Sequence, residues 1–236
     1  VAVVFGVFAT TYIQTYLERD VRQLEAVRSF RAFEMFVSLC ATRHAQEFHP
    51  ASLSRECGVS QPTTRAWGKV LEAGFTVIML PPFFKNYGKR LIKSPKLYFS
   101  DPALVAYLTR QPAAEAALKG SMGGALFEGL IINEAWKTFC NLGRKPAAWF
   151  WRSQGGLEVD LILQAQGKVW PIEIKLTATP GPGHLTSLNR FKELAGNESA
   201  DQGVMVCRVG KRRPLPNNNL ALPWREFSDW LREIIS

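Results

Sequence analysis

Two stretches in which apolar and charged residues alternate, at 158–164 and 169–176, constrain the fold of this chain more than any other feature. A repeat of two residues is typical of β-strands, because successive side chains of a strand point to opposite faces. The Gln166-Gly167 turn between the stretches joins them as a hairpin. The sequence therefore predicts two neighbouring strands, each with its charged side chains on one face.

That face of the hairpin brings three charged residues into reach of one another: Asp160 from the first strand, and Glu173 and Lys175 from the second. Charged side chains between apolar neighbours are costly in a sheet that is buried on both faces. We therefore interpret this face as open and as binding a cation, since carboxylate oxygens are the ligands that Mg²⁺ prefers. A bound metal ion would activate a water molecule for attack on a phosphate, while Lys175 orients the water or neutralises the scissile phosphate.

A carboxylate on a predicted helix, residues 125–139, is the third candidate metal ligand. The residues three positions before Glu128 and three, four and seven positions after it are all Ala or Ile. Because residues at these spacings share a helix face, Glu128 is expected on the face that packs against the sheet. The predicted metal ligands are thus Glu128, Asp160 and Glu173, with Mg²⁺ or Mn²⁺ as the ion.

A second interpretation explains the same alternation of charged and apolar residues without a metal site or catalysis. Glu-Val-Asp and Glu-Ile-Lys segments also suit a half-exposed hairpin whose charges form cross-strand ion pairs. Alternation alone leaves both interpretations open. The combination of Asp160, the Glu173-Ile-Lys175 triplet and a helical glutamate favours the metal site.

The first half of the chain has a different pattern, which is typical of helix-turn-helix proteins. Residues 51–57 predict a short helix, Gly58 a turn, and residues 61–71 a second helix. Ser60 is placed to cap the second helix and Pro62 to occupy its first turn.

Two predicted strands, at 75–80 and 96–100, follow the second helix and flank a basic loop. A helix-turn-helix that is followed by such a hairpin makes a winged helix. Residues 11–48 predict two further helices before it, from apolar residues spaced near 3.6.

Proline and glycine residues between 101 and 120 mark a boundary between two domains. We predict three segments: a remnant of a missing upstream module at 1–20, a winged helix-turn-helix domain at 21–110, and an α/β domain at 120–236. The last has the order helix, three strands, helix, strand (αβββαβ), then a Pro/Asn-rich loop after residue 208 and a final helix. The fold class is thus α/β in this domain and α+β overall.

The chain is basic, with 29 Lys and Arg residues against 20 Asp and Glu residues and a net charge of +9. A surplus of this size raises the expectation of a nucleic-acid partner, here DNA. A stretch without acidic residues lies between Glu72 and Asp101. The candidate DNA-binding residues are Arg65, Lys69, Lys85, Lys89, Arg90, Lys93, Lys96 and Arg152. On a recognition helix and a wing such residues follow phosphates, although a winged helix also serves as a protein-docking module, and that alternative stays open.

Several other classes of protein are excluded by the residues. No apolar run approaches about 18 residues, which excludes a multi-span membrane protein. The four cysteines form no C-x-x-C pair and no zinc spacing with the histidines. The apolar N-terminus has no leading Lys or Arg, so it is a poor signal peptide. We expect a cytoplasmic protein with reduced thiols and without a membrane partner.

The site residues together resemble a known nuclease superfamily. Asp160, the Glu173-Ile-Lys175 triplet and Glu128 on the preceding helix are similar to the PD-(D/E)xK motif of the restriction-endonuclease-like fold. More narrowly, the chain resembles the C-terminal region of prokaryotic predicted AAA-type ATPases, a region usually described as a domain of unknown function. The matching segments are 15–21, 91–101, 127–128, 151–152, 158–161 and 171–175.

The resemblance implies a larger machine, with an ATPase module, a winged helix and a nuclease-like domain. The chain has no G-x-x-x-x-G-K-[ST] motif, so ATP binding is not carried over to it, and the ATPase would act in cis or in trans. The implied function is divalent-metal-dependent phosphodiester hydrolysis on bound DNA, with Glu128, Asp160, Glu173 and Lys175 as catalytic residues. The alternative is a non-catalytic DNA- or protein-binding regulatory module of an ATPase that keeps a nuclease-like fold.

Overall fold

Helices and two β-sheets make up the part of the chain that this computed structural model describes, residues 29–83, 94–111 and 114–235. The expected α+β fold class is confirmed. The first predicted helix and the N-terminal remnant at 1–20 lie outside the described residues, as does most of the basic loop.

The described residues form two compact units. The first unit contains the described residues up to Met79 and the described residues of Leu97–Leu126. The second unit contains the described residues of Leu80–Lys96 and of Phe127–Ser236. This division after Leu126 comes later than the boundary expected between 101 and 120, and the predicted domain bounds stay a prediction. Pro102 occupies the first turn of a helix, where proline is favoured, and therefore does not interrupt the first unit.

The described part of the first unit begins with three helices, α1 (Phe30–Thr42), α2 (Pro50–Cys57) and α3 (Gln61–Ala73). The predicted cap of α3 is confirmed, because Ser60 Oγ accepts a hydrogen bond from the N–H of Thr63 at 3.2 Å. The predicted turn is confirmed as well, since Gly58 adopts a φ of +66° between α2 and α3. A positive φ is easy for glycine and strained for most other residues, which explains the glycine at this position.

A three-stranded sheet, with most of its residues in the first unit, has the order β1-β3-β2. Its strands are β1 (Gln46–Glu47), β2 (Val77–Leu80) and β3 (Lys96–Phe99). The two predicted strands are confirmed as β2 and β3, whereas β1 is too short to show a repeat in the sequence. Two short helices follow, α4 (Pro102–Leu108) and α5 (Ala114–Lys119). The core of this unit contains Phe33 and Trp67, whose rings meet edge to face with centroids 5.3 Å apart.

The second unit is built on a six-stranded sheet with the order β4-β5-β6-β7-β9-β8. Its strands are β4 (Ala148–Arg152), β5 (Glu158–Ala165), β6 (Lys168–Ile174), β7 (Gly203–Cys207), β8 (Arg213–Leu215) and β9 (Asn219–Pro223). Strands β4, β5 and β6 are antiparallel neighbours, whereas β7 runs parallel to β6, and β9 parallel to β7. The four predicted strands are all present, as β4 to β7.

The prediction of a loop after residue 208 is wrong, because this segment contains β8 and β9. The turn between them includes Asn217 and Asn218, whose φ angles are +59° and +53°. Asparagine is one of the few residues that tolerate such angles, so the Asn-rich composition reflects a tight turn. Pro214 lies on β8, an edge strand, where a missing N–H donor is tolerated.

Three longer helices accompany the six-stranded sheet, namely α6 (Gly123–Asn141), α7 (Thr186–Ala195) and α8 (Phe227–Ile235). All three are close to their predicted positions. The helix α7 packs on β5, β6 and β7, and its Leu188 and Phe191 share a buried core with Ile162 and Met205. This core supports the strands that carry the predicted site residues.

Candidate functional site

Strands β5 and β6 hold the two predicted acidic residues side by side. The antiparallel register pairs Leu161 with Ile172, which places Asp160 opposite Glu173. Both carboxylates are buried, with 5% of each residue exposed. Asp160 is fixed further by the backbone, since its Oδ2 accepts a hydrogen bond from the N–H of Ile174 at 2.8 Å.

Lys175 follows β6 directly and completes the group that the hairpin pattern predicted. Its N–H donates to the carbonyl of Val206 on β7, so the backbone here still belongs to the sheet. Its Nζ lies 2.7 Å from Glu173 Oε1 and 3.7 Å from Asp160 Oδ2. The side chain is 39% exposed, which leaves the ammonium within reach of a ligand that arrives from solvent. The structure thus brings Asp160, Glu173 and Lys175 together at the end of β6.

One oxygen of this group has no hydrogen-bond partner among the described residues. Glu173 Oε2 is buried and makes no hydrogen bond within the described part of the chain. A buried carboxylate oxygen without a donor is costly. A divalent cation is a suitable partner, because carboxylate oxygens are hard ligands. The residues present therefore fit a metal ion of the predicted kind.

Lys96 lies in the same neighbourhood, and the expectation that it binds DNA from the surface of the basic loop is wrong. Only 2% of the residue is exposed. Its Nζ lies 2.9 Å from Glu128 Oε1, forms a second ion pair with Glu158 Oε1, and stands over the Phe150 ring, 5.6 Å from its centre. Lys96 is an internal counter-ion, because the first position of β3 faces these carboxylates.

Glu158 is the residue of this site that the sequence prediction missed. One carboxylate oxygen each from Glu128, Glu158 and Asp160 lie within 4.8 Å of one another, and we call these three residues the acidic cluster. Glu173 lies outside the acidic cluster, so the cluster shares Glu128 and Asp160 with the predicted metal ligands. A signal for Glu158 was available, since it stands two residues before Asp160 on one strand and shares its face.

Burial and neighbouring charges shift the pKa values of Asp160 and Glu173, whose buried carboxyl groups lie opposite each other. Burial raises the pKa of Asp160 well above its ordinary value, and Glu128 and Glu173 raise it further, against the opposing effect of nearby lysines. Burial also raises the pKa of Glu173, although Lys175 at its side lowers it in part. A cation bound between them would stabilise the charged form of both groups.

The lysines of the site are held in their charged form. Burial lowers the pKa of Lys96, but the carboxylates of Glu128, Asp160 and Glu158 outweigh it and hold the pKa above its ordinary value. Burial acts on Lys175 in the same direction, and the two carboxylates beside it again prevail, so its pKa is raised as well.

The remaining basic residues differ in their surroundings. Arg65 and Lys69 lie one turn apart on α3, both are exposed, and the structure shows no ion pair for either among the described residues. Arg152 ends β4 and is also exposed, yet its guanidinium is paired with Glu158 Oε2. Four predicted residues of the basic loop lie outside the described residues, namely Lys85, Lys89, Arg90 and Lys93.

Two further observations bear on the classes that the sequence excluded. Within the ranges that the structure describes, no helix is long and apolar enough to cross a membrane. All four cysteines, at positions 40, 57, 140 and 207, are free thiols.

Two family models match this chain. One is described as a domain of unknown function, DUF8612, and matches residues 5–115. The other, DUF4143, is also described as a domain of unknown function and matches residues 123–227. The gap between the two matches lies close to the division of the described residues after Leu126.

Two mycobacterial proteins are similar to this chain, Uncharacterized protein Mb2031c from Mycobacterium bovis and Uncharacterized protein Rv2008c from Mycobacterium tuberculosis. Each is 32% identical over 213 residues, which cover 90% of this chain and 46% of the relative. The chain therefore spans about half the length of the curated relatives it matches. No solved structure matches it significantly.

Proposed function

We propose that this protein binds DNA and hydrolyses its phosphodiester bonds with the help of a divalent metal ion. The observation that carries the proposal is the meeting of Asp160, Glu173 and Lys175 at the end of β6. A buried oxygen of this group, Glu173 Oε2, has no partner within the described residues. Two carboxylates and a lysine are also the residues to which the resemblance to PD-(D/E)xK nucleases assigns catalysis.

Mg²⁺ or Mn²⁺ is the proposed ion, held by Asp160 and Glu173, with Glu128 as the third predicted ligand. Such an ion, when bound, supplies a water molecule of lowered pKa and a positive charge beside the scissile phosphate. The chain itself positions the reacting groups. Lys175, held 2.7 Å from Glu173, donates a hydrogen bond to the phosphate or to the attacking water and so stabilises the negative charge that develops.

The charge balance of the site supports a divalent cation. Among the residues that the structure describes, four carboxylates face three cations: Glu128, Glu158, Asp160 and Glu173 against Lys96, Arg152 and Lys175. One negative charge is left when every group is ionised, and a divalent ion converts it to one positive charge, which suits a phosphodiester anion. Because the pKa of Asp160 is raised, binding of the ion is expected to release a proton from this group at low pH.

The DNA-binding part of the proposal rests on the first unit. The helices α2 and α3 flank the Gly58 turn in the order of a helix-turn-helix, and β2 and β3 follow in one sheet, in keeping with the predicted winged helix. Arg65 and Lys69 on α3 are exposed and one turn apart, which suits contacts with phosphates. We propose an ATPase module as a partner in cis or in trans, and the greater length of the mycobacterial relatives is compatible with it.

Nicking of supercoiled plasmid and cleavage of branched DNA, each with Mg²⁺ and with EDTA, test the proposal. The variant is Asp160→Asn, which keeps the side-chain volume and an oxygen for the Ile174 N–H, and the control is Lys119→Met at an exposed lysine outside the site. We expect Mg²⁺-dependent cleavage by wild type and by the control, and a loss of about 100-fold or more in Asp160→Asn. Equal cleavage by wild type and Asp160→Asn identifies a contaminating nuclease and contradicts the proposal.

A second function is favoured by the ion pairs of the site. Lys96, Arg152 and Lys175 already compensate most of the acidic charge, so the carboxylates are largely satisfied without a metal ion. We propose as the alternative a non-catalytic DNA- or protein-binding regulatory module of an ATPase. A gel shift without metal-dependent cleavage favours it. A shift that weakens steeply with salt identifies DNA phosphates as the ligand, whereas no shift points to a protein partner.

A further inference from the structure

The acidic cluster has the form of a cation site, yet a side chain already occupies it. Its three carboxylates have oxygens within 4.8 Å of one another. Lys96 Nζ lies 2.9 Å from Glu128 Oε1 and contacts Glu158 Oε1, and its charge also acts on Asp160. An ammonium group has three N–H donors and no acceptor, so it is a suitable partner for three carboxylates.

The surroundings of Lys96 keep the ammonium in place. Its side chain is 3% exposed, and the face of the Phe150 ring attracts the positive charge of the Lys96 ammonium. Withdrawal of the ammonium would deprive Glu128 and Glu158 of an opposite charge at places where their side chains are only 16% and 19% exposed. Removing one partner of a buried ion pair is strongly unfavourable. Lys175, at 39% exposure, has no such restriction.

Both carboxylate oxygens of Glu158 already form ion pairs with basic side chains. Its Oε1 contacts Lys96 and its Oε2 contacts the guanidinium of Arg152. A metal ion in the acidic cluster would have to displace at least one of these cations. Glu173, by contrast, has a buried oxygen without a hydrogen bond in the described part of the chain, and it lies outside the acidic cluster.

We propose that Lys96 is a permanent cation of the acidic cluster and takes the place that a second metal ion holds in two-metal sites. The inference deepens the proposed function, on which it rests for the metal. Lys96 engages Glu128, so the single divalent ion is left with Asp160 and Glu173 as its ligands, and Glu128 is no longer one of them. Lys96 is then a positioning residue: it holds Glu128 and Glu158 beside Asp160 and does not touch the substrate. The site binds one metal ion, not two.

Counting bound Mn²⁺ by electron paramagnetic resonance tests this on the full chain. The proteins are wild type, Lys96→Met, Lys96→Arg, and the double variant Lys96→Met with Glu158→Gln. Methionine keeps the length of the side chain and removes its charge, which opens the acidic cluster to an ion. We expect one Mn²⁺ per chain in wild type and Lys96→Arg, two in Lys96→Met, and one again in the double variant.

The possible counts separate this inference from the proposed function. A gain of one ion in Lys96→Met supports the permanent lysine, whether wild type binds one ion or none. Equal counts in wild type and Lys96→Met overturn it, and so does a wild type that binds two ions. A wild type without bound Mn²⁺ contradicts the metal of the proposed function, while the count in Lys96→Met still decides the role of Lys96.

A measurement on wild type covers the case in which Lys96→Met does not fold. Acetylation of lysines, followed by mass spectrometry, is carried out in EDTA and in Mn²⁺, with the exposed Lys69 as the internal reference. We expect Lys96 to react at least about ten-fold more slowly than Lys69 in both conditions, because local opening is needed to expose it. If Mn²⁺ brings the rate at Lys96 near that at Lys69, the metal displaces the lysine and the inference is overturned.

Discussion

Basic side chains have opposite surroundings in the two units. On α3 of the first unit, Arg65 and Lys69 face solvent, and the structure shows no ion pair for them among the described residues. In the second unit, Lys96 is buried against Glu128 and Glu158. The sequence assigns all three cations to DNA binding in a basic chain, Arg65 and Lys69 from the predicted recognition helix and Lys96 from the stretch without acidic residues that follows it.

The contrast shows that net charge counts side chains and does not count charges available to a partner. A lysine that neutralises buried carboxylates adds to the net charge without adding much to the potential that a phosphate meets at the surface. An exposed cation is hydrated and free to exchange water for a phosphate, whereas a buried cation is already engaged. Matched substitutions in the two units are therefore expected to have different consequences.

The largest expected difference between the two units is in DNA cleavage, and it is between substitutions of Lys175 and of Lys69. Lys175→Met removes the ammonium beside Glu173 and is expected to lower kcat by about 100-fold or more, with little change in DNA affinity. Lys69→Met is expected to raise KM, with its main effect on DNA affinity. Cleavage rates at saturating and subsaturating DNA measure both quantities. A variant pair that changes kcat and KM alike would remove the distinction between the two units.

The next expected difference is in the free energy of unfolding, and it is between substitutions of Lys96 and of Arg65. Lys96→Met removes one partner of a buried ion pair and is expected to lower the free energy of unfolding by about 3–5 kcal/mol. Arg65→Met, at an exposed position, is expected to stay within about 0.5 kcal/mol of wild type. Urea unfolding in EDTA measures both, with Lys96→Arg as the control that keeps the charge. A Lys96→Met chain as stable as Arg65→Met would show that the ion pairs contribute no net stability.

The exposed pair on α3 is expected to set part of the salt dependence of DNA binding. Replacing Arg65 and Lys69 by Ala removes two phosphate contacts and makes the negative slope of log K against log salt concentration shallower by about 1.8. Lys96→Met leaves the slope unchanged, because the buried ammonium is not available to phosphates. Fluorescence anisotropy across a salt series gives the slopes. An unchanged slope in the double variant places the DNA elsewhere.

The last prediction concerns the pH dependence of stability that arises from the carboxyl group of Asp160, which Lys96 and Lys175 both influence. Burial raises the pKa of Asp160 above the unfolded value of about 3.9, so the folded chain keeps a proton that the unfolded chain has lost. The stability from this group is therefore fully present below about pH 4. It falls as the pH rises through the raised pKa, by about 1.4 kcal/mol for each unit between the two pKa values.

Unfolding in EDTA over a pH series measures this fall. Wild type is expected to lose stability toward neutral pH, and Asp160→Asn is expected to show a flatter profile because it carries no proton to lose. Affinity for Mn²⁺ rises over the same window, since the ion competes with the proton. An equal slope in Asp160→Asn assigns the pH dependence to another group, of which Glu173 is the nearest with a raised pKa.

Local patterns predicted much of both units because each pattern lies within a few residues. The alternation in β5 and β6 places Asp160, Glu173 and Lys175 on one face of a hairpin, and a short turn brings the strands together. The cap at Ser60 and the turn at Gly58 likewise define α2 and α3 from adjacent residues. Composition predicted a loop around Asn217 and Asn218, where the structure has a tight hairpin turn. The prediction was wrong because such turns are rich in the same residue types as irregular loops.

The sequence by itself determined which side chains share a face, because strand and helix periods act over neighbouring positions. It determined the acidic character of the β5 face, the carboxylate of Glu128 on an apolar helix stripe, and the exposed cations of α3. Only the tertiary structure decided which cation belongs to which partner. Lys96 is 32 positions from Glu128 in the chain, and nothing in the periodicity of β3 distinguishes it from the other basic residues between Glu72 and Asp101. Burial beside the carboxylates of Glu128 and Glu158 turns a predicted DNA contact into an internal counter-ion, since opposite charges attract most strongly where water is excluded.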